Sequence, residues 1–361
     1  MYCKKCGFEL KETALLCPFC NTIVTKEESV VKDVLKEEVV EPEVVKEEVV
    51  VNETKPQPEY VVNKPAVKKI KNQLGYLNIK TDWWHHILIA CGGYLLMYVL
   101  NSLIASVMIS YYKSNGMDFS CIPANPDTYM TACPIEPVQA YLKVVSLSQV
   151  IAELSVVAIV MFIFINALKP LFKSFKNKKT LKWYGLGLAI MYGGNYLYSA
   201  LLTQLDLQST STNQNAVNEI IFGTPLIGFL FVVVAAPLFE EIIFRFGVFR
   251  AFTHKSKKME VIGIVLTTII FASVHMIATF QTVFEDPANP NYEVLKSDLL
   301  SLPVYLIGAF GLTFAYHKSK SLLTPMLMHM TYNGISFVLI LLLNQMEEVG
   351  AAVVNFFHLF L

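Results

Sequence analysis

The sequence predicts an all-α polytopic membrane protein: a bundle of about seven to eight transmembrane helices, preceded by a small cysteine-bearing head and a disordered tether. Composition is the first observation behind this. Of 361 residues, 54% are hydrophobic and only 16% charged, whereas soluble proteins carry about a quarter charged residues. Charge segregation is the second, because most ionisable residues lie before residue 83 or in short patches between apolar runs. The third is the recurrence of apolar runs of membrane length from residue 83 onward. The formal net charge of +0 averages an acidic tether against basic loops, so it says nothing about partners.

Residues 1–24 read MYCKKCGFELKETALLCPFCNTIV and place Cys3, Cys6, Cys17 and Cys20 as C-x2-C-x10-C-x2-C. Each pair fits a knuckle presenting two thiolates, and four thiolates complete a tetrahedral shell. The expectation is a zinc ribbon whose structural Zn2+ folds it, since so short a segment has no core of its own. A disulfide framework or a redox pair fits less well, given the absence of a thioredoxin-like pattern around the cysteines. The opening residues also lack the basic patch and apolar core of a secretory signal. The first hydrophobic span, near residue 84, is expected to direct insertion.

Residues 25–75 form a flexible charged linker. A Glu-Glu-Val-Val element occurs at Glu37 and again at Glu47, and prolines at 42, 56, 58 and 65 interrupt any long helix. Valines are its main apolar residues, too little to bury a core. Lys64, Lys68, Lys69 and Lys71 suit an anionic leaflet just before the first span.

The transmembrane bundle is assigned to 83–361, with spans at 84–112, 141–168, 183–205, 223–249, 259–280, 299–317 and 321–344. The loops at 169–182 and 250–258 are rich in lysine, as is the turn at His317, Lys318 and Lys320. The loops at 113–140, 206–222 and 281–298 are neutral or acidic. The positive-inside rule then puts the N-terminus and the lysine loops in the cytosol of a multi-pass cell-membrane protein. Cys121 and Cys133 fall outside, where a disulfide could close a small loop or the pair could stay reduced. The tail 349–361 is short for a crossing and suits an interfacial or re-entrant helix.

Three short motifs sit inside these apolar segments: Glu240-Glu241-x-x-x-Arg245, Phe271-x-x-x-His275 and His329-x-x-x-Asn333. Ionisable groups at bilayer depth are costly, so their presence on three separate spans points to a site. The i to i+4 spacing places both partners of each motif on one helix face, so Glu241 and Arg245 can pair directly. Glu240 is rotated from Glu241 by about 100° and is free for a different task. Counting from the cytosolic ends at about 1.5 Å per residue, His329 lies on the order of 12 Å deep, Glu240 roughly 15 Å and His275 roughly 24 Å. All three fall within a hydrocarbon core of about 30 Å, and tilt can bring them level. Pro237, one turn before Glu241, is expected to open the helix backbone.

The ordered set of motifs, with the surrounding SLLTPMLMHMTYNG, resembles the CPBP family, which includes type II CAAX prenyl endopeptidases and bacteriocin-processing or immunity-associated membrane proteins. The resemblance covers about 183–340 and leaves out the ribbon and tether. It implies an intramembrane endopeptidase that hydrolyses a peptide bond in a membrane-associated peptide or protein. In that reading Glu240 is the general base, His275 helps to activate water, and His329 with Asn333 stabilises the oxyanion. Glu241 and Arg245 orient the helix and tune Glu240. A catalytic metal is left open. Glutamate and two histidines could ligate zinc, and the family is often labelled metalloprotease, but H-E-x-x-H is absent and metal-independent glutamate catalysis is favoured.

Other intramembrane chemistries fit less well. No G-x-S-x-G is present, and Asp206, Asp286 and Asp298 all map to outside loops by this span assignment. Glu153 is assigned to the outer interface or to a local pair, and Asn195 to an interhelical hydrogen bond. His85 and His86, beside Trp83 and Trp84, read as an interfacial belt. The ribbon would meet an unknown cytosolic partner; nucleic-acid binding by so small and mixed-charge a head is the weaker alternative. Two rivals share the motifs: a non-catalytic immunity or binding protein, and a transporter using the same polar groups as a substrate path.

Overall fold

A computed structural model describes residues 81–122, 133–174, 176–207, 209, 211–253, 256–284, 287 and 289–346. The expected zinc ribbon with Cys3, Cys6, Cys17 and Cys20, the expected linker at 25–75 and the tail at 349–361 lie outside the described residues. The described residues are helical, without strands. In chain order the helices are α1 (Trp83–Ser114), α2 (Ile135–Ile163), α3 (Ile165–Ser174), α4 (Lys178–Gln204), α5 (Thr212–Gly223), α6 (Pro225–Phe252), α7 (Lys257–Val274), α8 (Ile277–Val283), α9 (Tyr292–Ser319) and α10 (Leu323–Met346).

Five of these, α1, α2, α6, α9 and α10, are long and apolar enough to cross a membrane, and the bent pair α7 and α8 makes up to six. The expected span at 183–205 is a helix, α4, but it begins with lysines and carries Thr, Asn, Gln and several glycines, which dilute its apolar character. The expected single span at 259–280 is broken, because α7 ends at Val274 and α8 leaves it at 41°. Part of the presumed outer loop 206–222 is helix α5, whose N-cap Ser211 accepts from Gln214 N–H. The span expected at 299–317 begins two turns earlier, at Tyr292, with Asn291 as its N-cap.

The central helix α6 is not a regular α-helix. It is π-helical over Leu230–Ala235 and again over Glu241–Phe249, with a short α turn at Ala236–Glu240 between. Pro237 supplies the local cause, because a prolyl nitrogen donates no hydrogen bond and the preceding turn must widen around it. Most of the second π segment is buried, Ile242, Ile243, Phe244, Phe246 and Phe249 among the aliphatic and aromatic positions.

Helix α1 also widens, over Leu88–Gly92, where it crosses α6. The approach depends on glycine: a Cβ at Gly247 would sit 2.9 Å from the Ala90 Cβ and 3.1 Å from its backbone. His86 is not part of a surface belt. It is fully buried, and its Nδ1 lies 2.6 Å from the Phe246 carbonyl of the π segment. A carbonyl only accepts, so Nδ1 carries the proton and, in the neutral ring, Nε2 accepts from the Thr81 hydroxyl at 2.9 Å. Trp83 and Trp84 remain exposed, as an interfacial pair would be.

Asn195 on α4 donates to the Tyr332 hydroxyl on α10 at 2.7 Å, the interhelical bond expected of it. Cys121 and Cys133 are joined by a disulfide. Near the other end of the bundle, Glu260 on α7 lies 3.6 Å from Lys320 and 3.8 Å from His317. His317 belongs to the last turn of α9 rather than to a loop.

Candidate active site

The residues of the three motifs come together between α6, α7 and α10. Glu241 is the hub, fully buried, with Oε1 accepting from Arg245 Nη1 at 2.9 Å and from His329 Nδ1 at 2.9 Å. The first bond links i to i+4 within α6, as the spacing predicts. The second crosses to α10. Arg245, also fully buried, donates through Nη2 to the Ala309 carbonyl of α9 at 3.3 Å, and its guanidinium lies 4.6 Å from the Phe271 ring centroid. Glu241 and Arg245 thus lock three helices around one ion pair, with an aromatic face of α7 on the cation.

Glu240 stands beside this lock. Its Oε2 lies 3.8 Å from His329 Nε2 and is itself buried without a hydrogen-bond partner, although 20% of the side chain remains accessible. His329 therefore sits between two carboxyl groups, bonded to Glu241 through Nδ1 and turned towards Glu240 with Nε2. Glu241 Oε1 accepts from Arg245, so Nδ1 of His329 is the donor to it and Nε2 faces Glu240.

Asn333, one turn after His329, donates through Nδ2 to the Val232 carbonyl at 2.9 Å. Val232 lies in the π turn where the partner five residues on is Pro237, which has no N–H. The asparagine amide thus fills the gap that the proline leaves in the α6 ladder, while its second N–H stays uncommitted to this bond.

His275 is where α7 stops, as its C-cap residue. Its Nδ1 lies 2.9 Å from the Phe271 carbonyl, which again fixes the proton on Nδ1 and leaves Nε2 available. Phe271 connects His275 to the rest, with its ring centroid 4.6 Å from His275 and 6.1 Å from His329. His275 thus reaches the cluster through Phe271, with no hydrogen bond to Glu240 itself.

Two further acids, Glu153 and Asp298, are buried in the bundle. Glu153 does not lie at an outer interface. It is buried on α2, which packs on the Ala236–Glu240 turn. Gln149 Nε2 donates to Glu153 Oε1 at 2.9 Å, which is the local pair the sequence allowed. Asp298 is not in an outside loop: it is buried within α9 and accepts from Thr212 N–H at 3.1 Å and 3.2 Å, and from the Thr279 hydroxyl. The partners of its carboxylate among the described residues are Thr212 and Thr279, neither of them an aspartate. No group of three or more His, Cys, Asp and Glu side chains among the described residues is placed to hold a metal ion. His329 has Nδ1 occupied by Glu241, and His275 does not share a ligand position with Glu240. The site residues as they stand do not fit a three-ligand metal centre.

Comparison with known proteins bears on this arrangement. Residues 222–335, spanning all three motifs, match the family described as type II CAAX prenyl endopeptidase Rce1-like. A particular relative is the membrane-embedded CAAX protease MroQ of Staphylococcus aureus (strain USA300), 25% identical over 187 residues, covering 51% of this chain and 68% of that protein. No solved structure matches the chain. These similarities support a membrane-embedded protease, and the apolar helices of the bundle agree with it.

Proposed function

We propose that this chain is an intramembrane endopeptidase that hydrolyses a peptide bond in a membrane-associated peptide or protein. The single observation that carries the proposal is the Glu240–His329 pair, 3.8 Å apart and held from behind by the buried Glu241–Arg245 ion pair. A base and a hydrogen-bond donor sit side by side in a rigid setting, which is the preorganisation that acyl transfer to water requires.

In this mechanism Glu240 takes a proton from water, and the oxygen of that water bonds to the scissile carbonyl carbon. His275, with Nε2 left available by the Phe271 carbonyl, accepts a hydrogen bond from the same water and orients it. The carbonyl π electrons move to oxygen. That oxyanion is met by His329 Nε2–H, with the ring positively charged and its Nδ1–H on Glu241, and by the second amide hydrogen of Asn333. Glu240 then returns its proton to the departing amine nitrogen as the C–N bond breaks. Glu241 acts as the aspartate does behind a catalytic histidine: it orients the ring and stabilises the imidazolium. Arg245 supplies the opposite charge beside Glu241 and anchors it to α9 through the Ala309 carbonyl.

Substrates in this reading are peptide pheromones, bacteriocin leaders or membrane proteins, cut with the lysine-rich loops facing the cytosol. The N-terminal head binds a structural zinc through Cys3, Cys6, Cys17 and Cys20 and contacts a cytosolic partner. The test is cleavage by purified full-length protein in nanodiscs. The probes are an internally quenched farnesylated CAAX peptide and unprenylated amphipathic leader peptides. Cleavage of either that is lost in Glu240→Gln supports the proposal. Immunity or transport surviving intact in Glu240→Gln, with neither probe cut by the unmodified protein, would favour a binding or transport role instead.

A further inference from the structure

His275 sits at a helix break, where regular helical packing does not by itself fix a side chain. The structure supplies the missing restraint from an element that none of the three motifs contains. The Tyr305 ring lies 4.5 Å from the His275 ring, with their planes 32° apart. Phe271 covers the imidazole too, at 4.6 Å and 31°. Together with the Nδ1–H bond to the Phe271 carbonyl, these contacts set both the plane and the spin of the imidazole.

Tyr305 is itself pinned. Asn213 Nδ2 donates to its hydroxyl oxygen at 3.2 Å, and Ser211 Oγ lies 2.8 Å from it. Asn213 fills an acceptor position on the phenol, so its O–H is free to donate to Ser211, which also receives Gln214 N–H. Both partners belong to the first turn of α5. That turn is fixed to α9 a second time by Asp298, seven residues before Tyr305 and so on the same helix face. Asp298 accepts from Thr212 N–H and from Thr279 of α8, the helix on the far side of the break. Face, hydroxyl and carboxylate therefore hold α5, α8 and the His275 ring against one side of α9.

We infer that Tyr305 is a positioning residue for the hydrolysis, braced by Ser211, Asn213 and Asp298, and that it aims His275 Nε2 at the reacting water. This rests on the endopeptidase reading of His275. Tyr305 touches neither substrate nor water in this role; it acts through the imidazole.

The experiment pairs kinetics on the farnesylated CAAX peptide with side-chain NMR of protein labelled with 15N-histidine, in nanodiscs. The His275 signal is assigned by its loss in His275→Ala. Tyr305→Leu is expected to lower kcat by about 10- to 100-fold, the scale of a misplaced catalytic group, with KM within about 2-fold. The fixed Nδ1–H signature of His275 should give way to an averaged or broadened one. Tyr305→Phe keeps the ring and loses the pin, so it should show a several-fold fall in kcat, smaller than that of Tyr305→Leu, with a partly broadened His275 signal. Unchanged kcat and an unmoved His275 signal in Tyr305→Leu would overturn the inference. If Tyr305→Leu fails to fold, Tyr305→Phe decides: a several-fold fall in kcat at constant KM supports the brace, and wild-type kcat with an identical signal overturns it. Full activity in His275→Ala would overturn the water-activating reading of His275 instead, and the His275 signal in the Tyr305 variants keeps that failure distinct from failure of the brace.

Discussion

His329 Nδ1 lies 2.9 Å from Glu241 Oε1, although the two residues are 88 apart in sequence and sit on different helices. The same oxygen receives Arg245, so one carboxylate oxygen joins the ion pair of α6 to the histidine of α10. Breaking a buried pair by removing one partner strands the other charge. Arg245→Ala and Glu241→Leu are each expected to lower stability by about 3–5 kcal/mol. Arg245→Lys should fare little better, since a lysine does not reproduce the fork that meets both Glu241 and the Ala309 carbonyl. Reversible unfolding in detergent checks this. A double replacement by apolar residues of similar volume should be less costly than either single change.

The crossing of α1 and α6 has no room for a side chain at Gly247. Gly247→Ala would press its Cβ against Ala90 backbone and side chain and is expected to destabilise by about 1–3 kcal/mol. Gly185, inside α4, is the contrast: a Cβ there meets nothing within 4 Å. Gly185→Ala should be neutral or stabilising by up to about 1 kcal/mol. Melting curves of the two variants, measured side by side, make the comparison.

Asn333 carries a structural duty beside its proposed chemical one. Asn333→Leu removes the donor for the Val232 carbonyl and is expected to cost about 1–3 kcal/mol for the unpaired acceptor, together with cleavage activity. Asn333→Asp also removes the donor and adds an acceptor facing an acceptor, so it should be worse in stability than Asn333→Leu. Unfolding and peptide cleavage measured on the same preparations separate the two duties.

How far the sequence led to this site depends on what each side chain does. The i to i+4 spacing of Glu241 and Arg245 predicts a contact that is present, and the three motifs do meet. Hydropathy could not show that α6 is π-helical on both sides of Glu240, since widening a turn changes no residue's polarity. It could not place the break at His275 either, because α7 and α8 are both apolar. Asp298 looked like a loop residue because a carboxylate at a helix start lowers local hydropathy, and its partners at Thr212 and Thr279 are distant in sequence. His86 read as part of a surface belt from its tryptophan neighbours, while its actual partner, the Phe246 carbonyl, lies 160 residues away. Tyr305 had no signal at all, being one aromatic among many.

Zinc should belong to the N-terminal head and not to the hydrolytic step. Full-length protein with Cys3, Cys6, Cys17 and Cys20 replaced by serine is expected to lose its bound zinc, measured by elemental analysis, and to keep cleaving the peptide probes. The reason is positional: His329 commits Nδ1 to Glu241, and no third ligand stands with it and Glu240 among the described residues.

The most direct measurement is peptide cleavage by Glu240→Gln beside unmodified protein in the same nanodiscs. Removing the carboxylate that faces His329 is expected to reduce kcat by about 100- to 10,000-fold, the range of a lost general base, with the unfolding transition in place. Cleavage at the unmodified rate by a well-folded Glu240→Gln protein would contradict the assignment of these buried groups as a hydrolytic site.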